Sequence, residues 1–350
     1  MEYRSLGKSK IMIHPIGMGC WAYGGGAYWG AQAQSDVDYV VSAALDSGVN
    51  FFDTAEMYNA GDSEISLGKA LRGKRGRAVV ATKVSPANCR KAAMTASLDK
   101  SLSRLGMDYV DLYMIHWPFN YISLKHFTED KDVLDNPPDA AEAFGTLAEL
   151  KKQGKIKSIG VSNFGVTQIK DALATGVSID VNEVTYNLFS RAIEKEILPF
   201  CRDNQISVIG SMALQQGILA GIYPDVESIP KPQAHSRHFH HSRGAEQSRH
   251  TSVGAEAEMF AALGEINAVC SELNMPIARL AVAWVLAQKG VSASLVGSRT
   301  KPELESNLLA ASVALPDDVL RRLDLITKPV LEKLGDNADY YEDDDKSRIF

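Results

Sequence analysis

The sequence has little with which to build a secreted, metal-stapled or nucleic-acid-binding protein. Its 350 residues include four cysteines, Cys20, Cys89, Cys201 and Cys270, scattered without paired spacing. That argues against a disulfide scaffold or a zinc module, whose ligands come in close pairs. No uninterrupted apolar run reaches membrane length, and the opening MEYRSLGKSK lacks the apolar stretch of a signal peptide. A cytoplasmic protein with no membrane partner is expected. Basic residues are not in excess: 37 Lys and Arg stand against 43 Asp and Glu, a net charge of −6, so no nucleic-acid partner is expected. Also missing is a G-x-G-x-x-G fingerprint after an early strand, which disfavours a doubly wound dinucleotide-binding sheet.

What is present is alternation. Eight short apolar runs read as strands: Ile16–Cys20, Phe51–Ala55, Ala78–Val84, Asp108–Trp117, Ser158–Asn163, Val181–Asn187, Ser207–Leu214 and Ser292–Ser298. Their apolarity is continuous, as suits parallel strands buried on both faces. Helical stretches separate them, several closed by a glycine just past the last turn: Gly48, Gly106, Gly154 and Gly176. Eight such units read as a (β/α)8 TIM barrel occupying residues 1–334 as one domain. Leu6–Ile13 reads as a β-hairpin ahead of the first strand, plugging the barrel floor. Residues 221–254, after the seventh strand, form a long Pro-punctuated insertion that a barrel would hold over its C-terminal mouth as a lid. Residues 335–350 carry six acids against two bases and read as a flexible, solvated acidic tail. A competing reading folds that tail over the substrate mouth.

Polar residues at the ends of apolar strands carry the chemistry. Asp53 closes one run, Lys83 sits late in a second, His116 late in a third, and Tyr58 follows Asp53 by one loop. Lys and Asp are rarely buried without a partner, and a barrel would converge all three strand ends on one rim. A carbonyl that receives hydride needs a proton on oxygen. A tyrosine supplies it if its ordinary pKa of about 10 is lowered, which an adjacent lysine cation favours. Asp53 would hold the lysine, and His116 would hydrogen-bond the carbonyl oxygen.

The ordered motifs IGMGCWAYGG, FFDTAEMYNAGDSE, VVATKV, DLYMIHWP, KIKSIGVSNF, VTYNLFSR and LVGSRTKPELESN resemble the aldo-keto reductases, from Tyr3 to about Ile326. The resemblance implies a (β/α)8 barrel that uses NAD(P)H without a Rossmann motif, and a tetrad at Asp53, Tyr58, Lys83 and His116. It implies reduction of an aldehyde or ketone, or the reverse oxidation of an alcohol such as a sugar or polyol, with Tyr58 as proton donor. The motif layout is also similar to the potassium-channel β-subunit branch, so the alternative is a catalytically weak, nucleotide-sensing regulatory subunit. The partner is a small carbonyl or alcohol, and the motifs leave monomer or homo-oligomer open.

The resemblance also carries cofactor positions, with departures. Cys20 and Trp21 match the end of the first strand, and Ser162 and Asn163 the residues that bond the carboxamide. Glu183 stands where glutamine is usual. On the seventh strand, Ser211 replaces an aromatic that stacks on nicotinamide and Ala213 replaces a proline, while Leu214, Gln216 and Gly217 are retained. Gly297, Ser298, Arg299 and Asn307 match the adenosine end. Arg299 as a clamp for a 2′-phosphate favours NADP(H), whereas Glu303 would suit a free ribose hydroxyl, which keeps NAD(H) possible. Tyr28, Trp29, Trp117 and Phe119, with Trp21, are expected around the substrate. In the insertion, Arg237 or Arg243 is expected at the cofactor pyrophosphate. Its H-x-H-H run matches no closed metal site, and no metal is expected.

Overall fold

The computed structural model describes residues 2–350. Eight parallel strands close into a barrel: β3 (Ile16–Gly19), β4 (Phe51–Asp53), β5 (Val79–Val84), β6 (Val110–Ile115), β7 (Ile156–Ser162), β8 (Val181–Thr185), β9 (Ser207–Ser211) and β10 (Val291–Val296). They run in chain order around the wall, and β10 pairs with β3 to shut it. All eight lie where the continuous apolar runs put them. Between them run α1 (Gln34–Asp46), α2 (Asp62–Ala70), α3 (Lys91–Leu105), the short α4 (Tyr121–Leu124) and α5 (Lys131–Asp135), α6 (Ala140–Lys152), α7 (Val166–Ala174) and α8 (Ile197–Asp203). The chain continues with α9 (Glu256–Glu272), α10 (Ile277–Ala287), α11 (Lys301–Ala310) and α12 (Asp317–Leu334). Gly48, Gly106, Gly154 and Gly176 all sit at positive φ after α1, α3, α6 and α7, where a Cβ would strain the turn. No single helix among the described residues is long and apolar enough to cross a membrane.

The hairpin is β1 (Arg4–Ser5) paired antiparallel with β2 (Met12–Ile13). Leu6 and Ile13 are fully buried against Phe51, Leu112, Met114, Val181, Ile209 and Leu295, so the hairpin does seal the barrel floor.

The acidic segment differs from the flexible tail expected. It folds back over the loops that follow β6 and β7. Arg348 is buried and forks onto Asp339 through two bonds of 2.7 Å, while its guanidinium lies 3.6 Å from the centroid of the Trp117 ring. The Arg348 carbonyl accepts from Asn120 Nδ2 at 3.0 Å and Gln168 Nε2 at 2.8 Å. Composition hid this docking because the segment is held by a buried ion pair and a cation–π contact more than by apolar area.

The basic insertion meets the acidic segment. Arg237 is buried and donates to the carbonyls of Leu334 (2.7 Å) and Asn337 (3.1 Å) and to Asp344 (3.3 Å). Arg249 lies 3.7 Å from Glu342, which also faces His126 at 3.0 Å. Arg243 is committed to Glu256 at 2.6 Å and Glu227 at 3.1 Å. The arginines expected at a pyrophosphate instead brace the insertion, Arg237 against carbonyls at the end of α12 and just after it, and Arg243 against carboxylates of the insertion and α9.

Candidate active site

Asp53 is the last residue of β4, and Lys83 is the penultimate residue of β5. Their ladder register puts both at the C-terminal mouth, and both are buried. Lys83 Nζ donates to the Asp53 oxygens at 2.5 and 2.7 Å, to the Thr54 carbonyl at 3.1 Å and to Tyr58 Oη at 3.4 Å. Tyr58 opens a tight turn in which Asn59 and Ala60 both have positive φ. Asn59 tolerates that conformation, and its amide donates to the carbonyls of Trp21 and Tyr23 at 2.9 Å each, tying the turn to the loop after β3. His116 follows β6 directly. Its N–H extends the ladder to the Val84 carbonyl at 2.9 Å, and its ring meets that of Tyr58 edge-on at 5.4 Å. Asp53, Lys83 and His116 from three strand ends and Tyr58 from the intervening loop are thus brought together.

A fifth member joins them. Glu183 on β8 brings Oε1 to 3.4 Å from Lys83 Nζ, and its Oε2 is buried without a partner. Sequence flagged Glu183 only as a departure at a carboxamide contact; its place beside the lysine needed the barrel geometry.

This cluster changes the electrostatics expected of Tyr58. Burial pushes the phenol well above its ordinary pKa, and Lys83 pulls it back only in part. Asp53 and Glu183 add smaller upward pushes of their own. Burial opposes the charge on Lys83, but Asp53 and then Glu183 overcome it and hold the ammonium above its ordinary value. Burial raises Asp53 against the pull of Lys83. Burial and then the Asp53 charge push Glu183 up to about 8. His116 is driven far below its usual range, first by burial and then by Lys83, and is neutral.

Aromatic rings roof the cluster. Trp21 stacks on Tyr58 at 5.8 Å and on Tyr28 at 5.0 Å, and Trp29 meets Trp21 edge-on at 5.3 Å. Tyr28 donates to Gln216 Oε1 at 2.7 Å. The other two aromatics expected around the substrate are spent on packing. Trp117 is covered by Arg348, and Phe119 packs on Phe144 and Phe164. Two further rings join this roof: His235 of the insertion meets Tyr28 edge-on at 6.3 Å, and Tyr341 of the acidic segment stacks on His235 at 5.0 Å. No periodicity signals such contacts between distant segments.

The remaining rim positions lie along the ends of β3 and β7 to β10. Cys20 is buried and its thiol donates to the Met18 carbonyl at 3.4 Å. Asn163, at positive φ, donates from its amide to Ser162 Oγ (3.1 Å) and the His116 carbonyl (3.0 Å). Ser211 ends β9. Ala213 is packed in a small apolar cluster with Leu214 against it, and Gln216 and Gly217 turn at positive φ. After β10, Asn307 donates to Ser298 Oγ at 3.1 Å. Arg299 crosses to the loop after β3, donating to the carbonyls of Trp29 (2.9 Å) and Ala31 (2.6 Å) and to Gln32 (2.7 Å). The Arg299 N–H donates to Glu303 at 2.7 Å.

The candidate site thus combines a buried Asp53–Lys83 pair, a half-buried Tyr58 and a neutral His116 at the C-terminal mouth of a closed (β/α)8 barrel, where enzymes of this fold place their chemistry. Residues 15–328 match the model of the aldo/keto reductase family, and the chain belongs to that family of NAD(P)-dependent oxidoreductases. It is 30% identical over 344 residues to an NADH-specific methylglyoxal reductase of Escherichia coli, covering 91% of this chain and 95% of that protein. It is 29% identical over 317 residues to the aldo-keto reductase YhdN of Bacillus subtilis, covering 87% of each. Among solved structures, a glycerol dehydrogenase from Gluconobacter oxydans superposes with a TM-score of 0.76 at 26% identity, covering 96% of this chain and 97% of that one.

Proposed function

We propose that this chain reduces a small aldehyde or ketone with NADP(H), or with NAD(H), and runs in reverse on the corresponding alcohol. The observation that carries this reading is Tyr58 Oη at 3.4 Å from a lysine that Asp53 fixes through both carboxylate oxygens. When bound, a reduced nicotinamide supplies the hydride. Tyr58 gives its proton to the carbonyl oxygen, Lys83 stabilises the phenolate left behind, and neutral His116 orients the substrate oxygen. The aromatic roof of Trp21, Tyr28 and Trp29 excludes water from the reacting atoms.

The rim fits a dinucleotide in its supply of polar groups. Gln216 Nε2 and Glu183 Oε2 are buried without partners, and Gly297 has open space where a side chain would stand. Ser162 and Asn163 would hold the carboxamide, and Ser298, Asn307 and Arg299 the adenosine end. The names of the E. coli and Gluconobacter relatives, with methylglyoxal and glycerol, favour a small polar substrate. The test is steady-state oxidation of NADPH and of NADH across a panel of carbonyls. Turnover of none of them would leave the nucleotide-sensing alternative standing.

A further inference from the structure

Lys83 lies between two carboxylates, and only one of them belongs to the ion pair that sequence pointed to. Asp53 takes the ammonium from β4, while Glu183 approaches the same nitrogen to 3.4 Å from β8 across the barrel mouth. Both carboxyls thus converge on one ammonium, at 2.5 and 3.4 Å from its nitrogen. The remaining titratable groups here are Tyr58, His116 and Cys20, and burial keeps all three uncharged. The strands flanking β8 place Ser162 and Ile209 beside Glu183, neither of them titratable.

Fully ionised, this buried group would hold two negative charges against one positive. Two carboxylates at one site in a low-dielectric interior do not both ionise, and the stable state keeps one proton shared between them. Glutamate at 183 is this chain's departure from the usual glutamine, so the shared proton is a property of this sequence.

We propose that Glu183 is a positioning residue that holds a proton on the Asp53–Glu183 pair at neutral pH and thereby keeps Tyr58 acidic enough to donate. Loss of that proton leaves a second negative charge beside the phenol. Tyr58 then becomes a weaker acid, and carbonyl reduction slows. Glu183 is pushed up to about 8, so the change falls in mildly alkaline solution. The inference rests on the reading of Tyr58 as proton donor.

Two measurements test it, one of them independent of turnover. Infrared difference spectra of the purified protein, taken between about pH 6 and about pH 10, report the carbonyl stretch of a protonated carboxylic acid. The native protein is expected to lose such a band with a midpoint of about 8, and Glu183→Gln is expected to lack it. Glu183→Asp, which keeps a carboxyl on a shorter stem, should keep a band with a displaced midpoint, separating loss of the proton from loss of the fold. In parallel, kcat for carbonyl reduction should fall roughly tenfold per pH unit above about pH 8 in the native enzyme and stay level in Glu183→Gln. A native protein without the band, or a Glu183→Gln profile with the same alkaline limb, overturns the proposal. A protein that reduces no carbonyl, yet loses the band in Glu183→Gln, supports the shared proton and overturns the role of Tyr58.

Discussion

Arg348 lies over the ring of Trp117, its guanidinium 3.6 Å from the ring centroid, and Asp339 accepts from the edge of the same guanidinium through both carboxylate oxygens. One side chain thereby fixes the acidic segment to the loop after β6. Removing one partner of a buried pair leaves the other charge stranded, at a cost of about 3–5 kcal/mol. Arg348→Ala is therefore expected to release residues 337–350. Hydrogen exchange over that segment should rise by orders of magnitude while the barrel strands stay protected. Unchanged exchange in the variant would refute the docking.

Tyr58→Phe removes the proton donor but leaves the ring that stacks on Trp21. Turnover should fall by about 10²–10⁴, the usual contribution of a positioned general acid. Cofactor affinity, followed by fluorescence titration, should change little. Near-native turnover would sink the assignment.

Glu303, in the first turn of α11, accepts from the backbone N–H of Arg299, the residue expected at a 2′-phosphate. A carboxylate there repels that phosphate. Glu303→Gln keeps an acceptor and removes the charge, so NADPH should bind more tightly by about 1 kcal/mol, roughly fivefold, while NADH binding stays the same. Equal shifts for both cofactors would place the 2′ position elsewhere.

His238 is buried, facing the Phe189 carbonyl and Ser190 Oγ at 3.1 Å each. Burial, partly offset by the Phe189 carbonyl, holds it down at about 3, against about 6.5 in the unfolded chain. A group depressed on folding contributes its full stability above the unfolded value and loses it as pH falls towards the folded one. Thermal stability should therefore decline from about pH 6.5 downward, and His238→Gln should flatten that slope. Parallel slopes in native and variant proteins would exclude His238 as the source.

The barrel was legible because each strand is buried on both faces, and the helix ends because Gly48, Gly106, Gly154 and Gly176 mark left-handed turns. Asp53, Lys83 and His116 were legible because a polar residue inside an apolar strand has to be satisfied by something. What stayed hidden depends on contacts between distant segments. Arg348 and Asp339 look like solvent-facing charges until each is seen to bury the other. Lys83 does pull the Tyr58 phenol down, as its place beside the ring implies, but burial outweighs it, and the depth of that burial shows only in the closed barrel. Arg299 also braces the loop after β3 through the carbonyls of Trp29 and Ala31, contacts across the chain that no spacing signals.

The floor hairpin makes the barrel a vessel with one opening. Leu6 and Ile13 shut the lower end with hydrocarbon, so water has no route through the interior from below. What reaches the cluster therefore comes from the mouth, where Trp21 stacks on Tyr58 and is flanked by Tyr28 and Trp29. Hydronium and hydroxide share that doorway with the organic reactants, so proton exchange at the Asp53–Lys83–Glu183 cluster uses the same mouth that would admit a carbonyl.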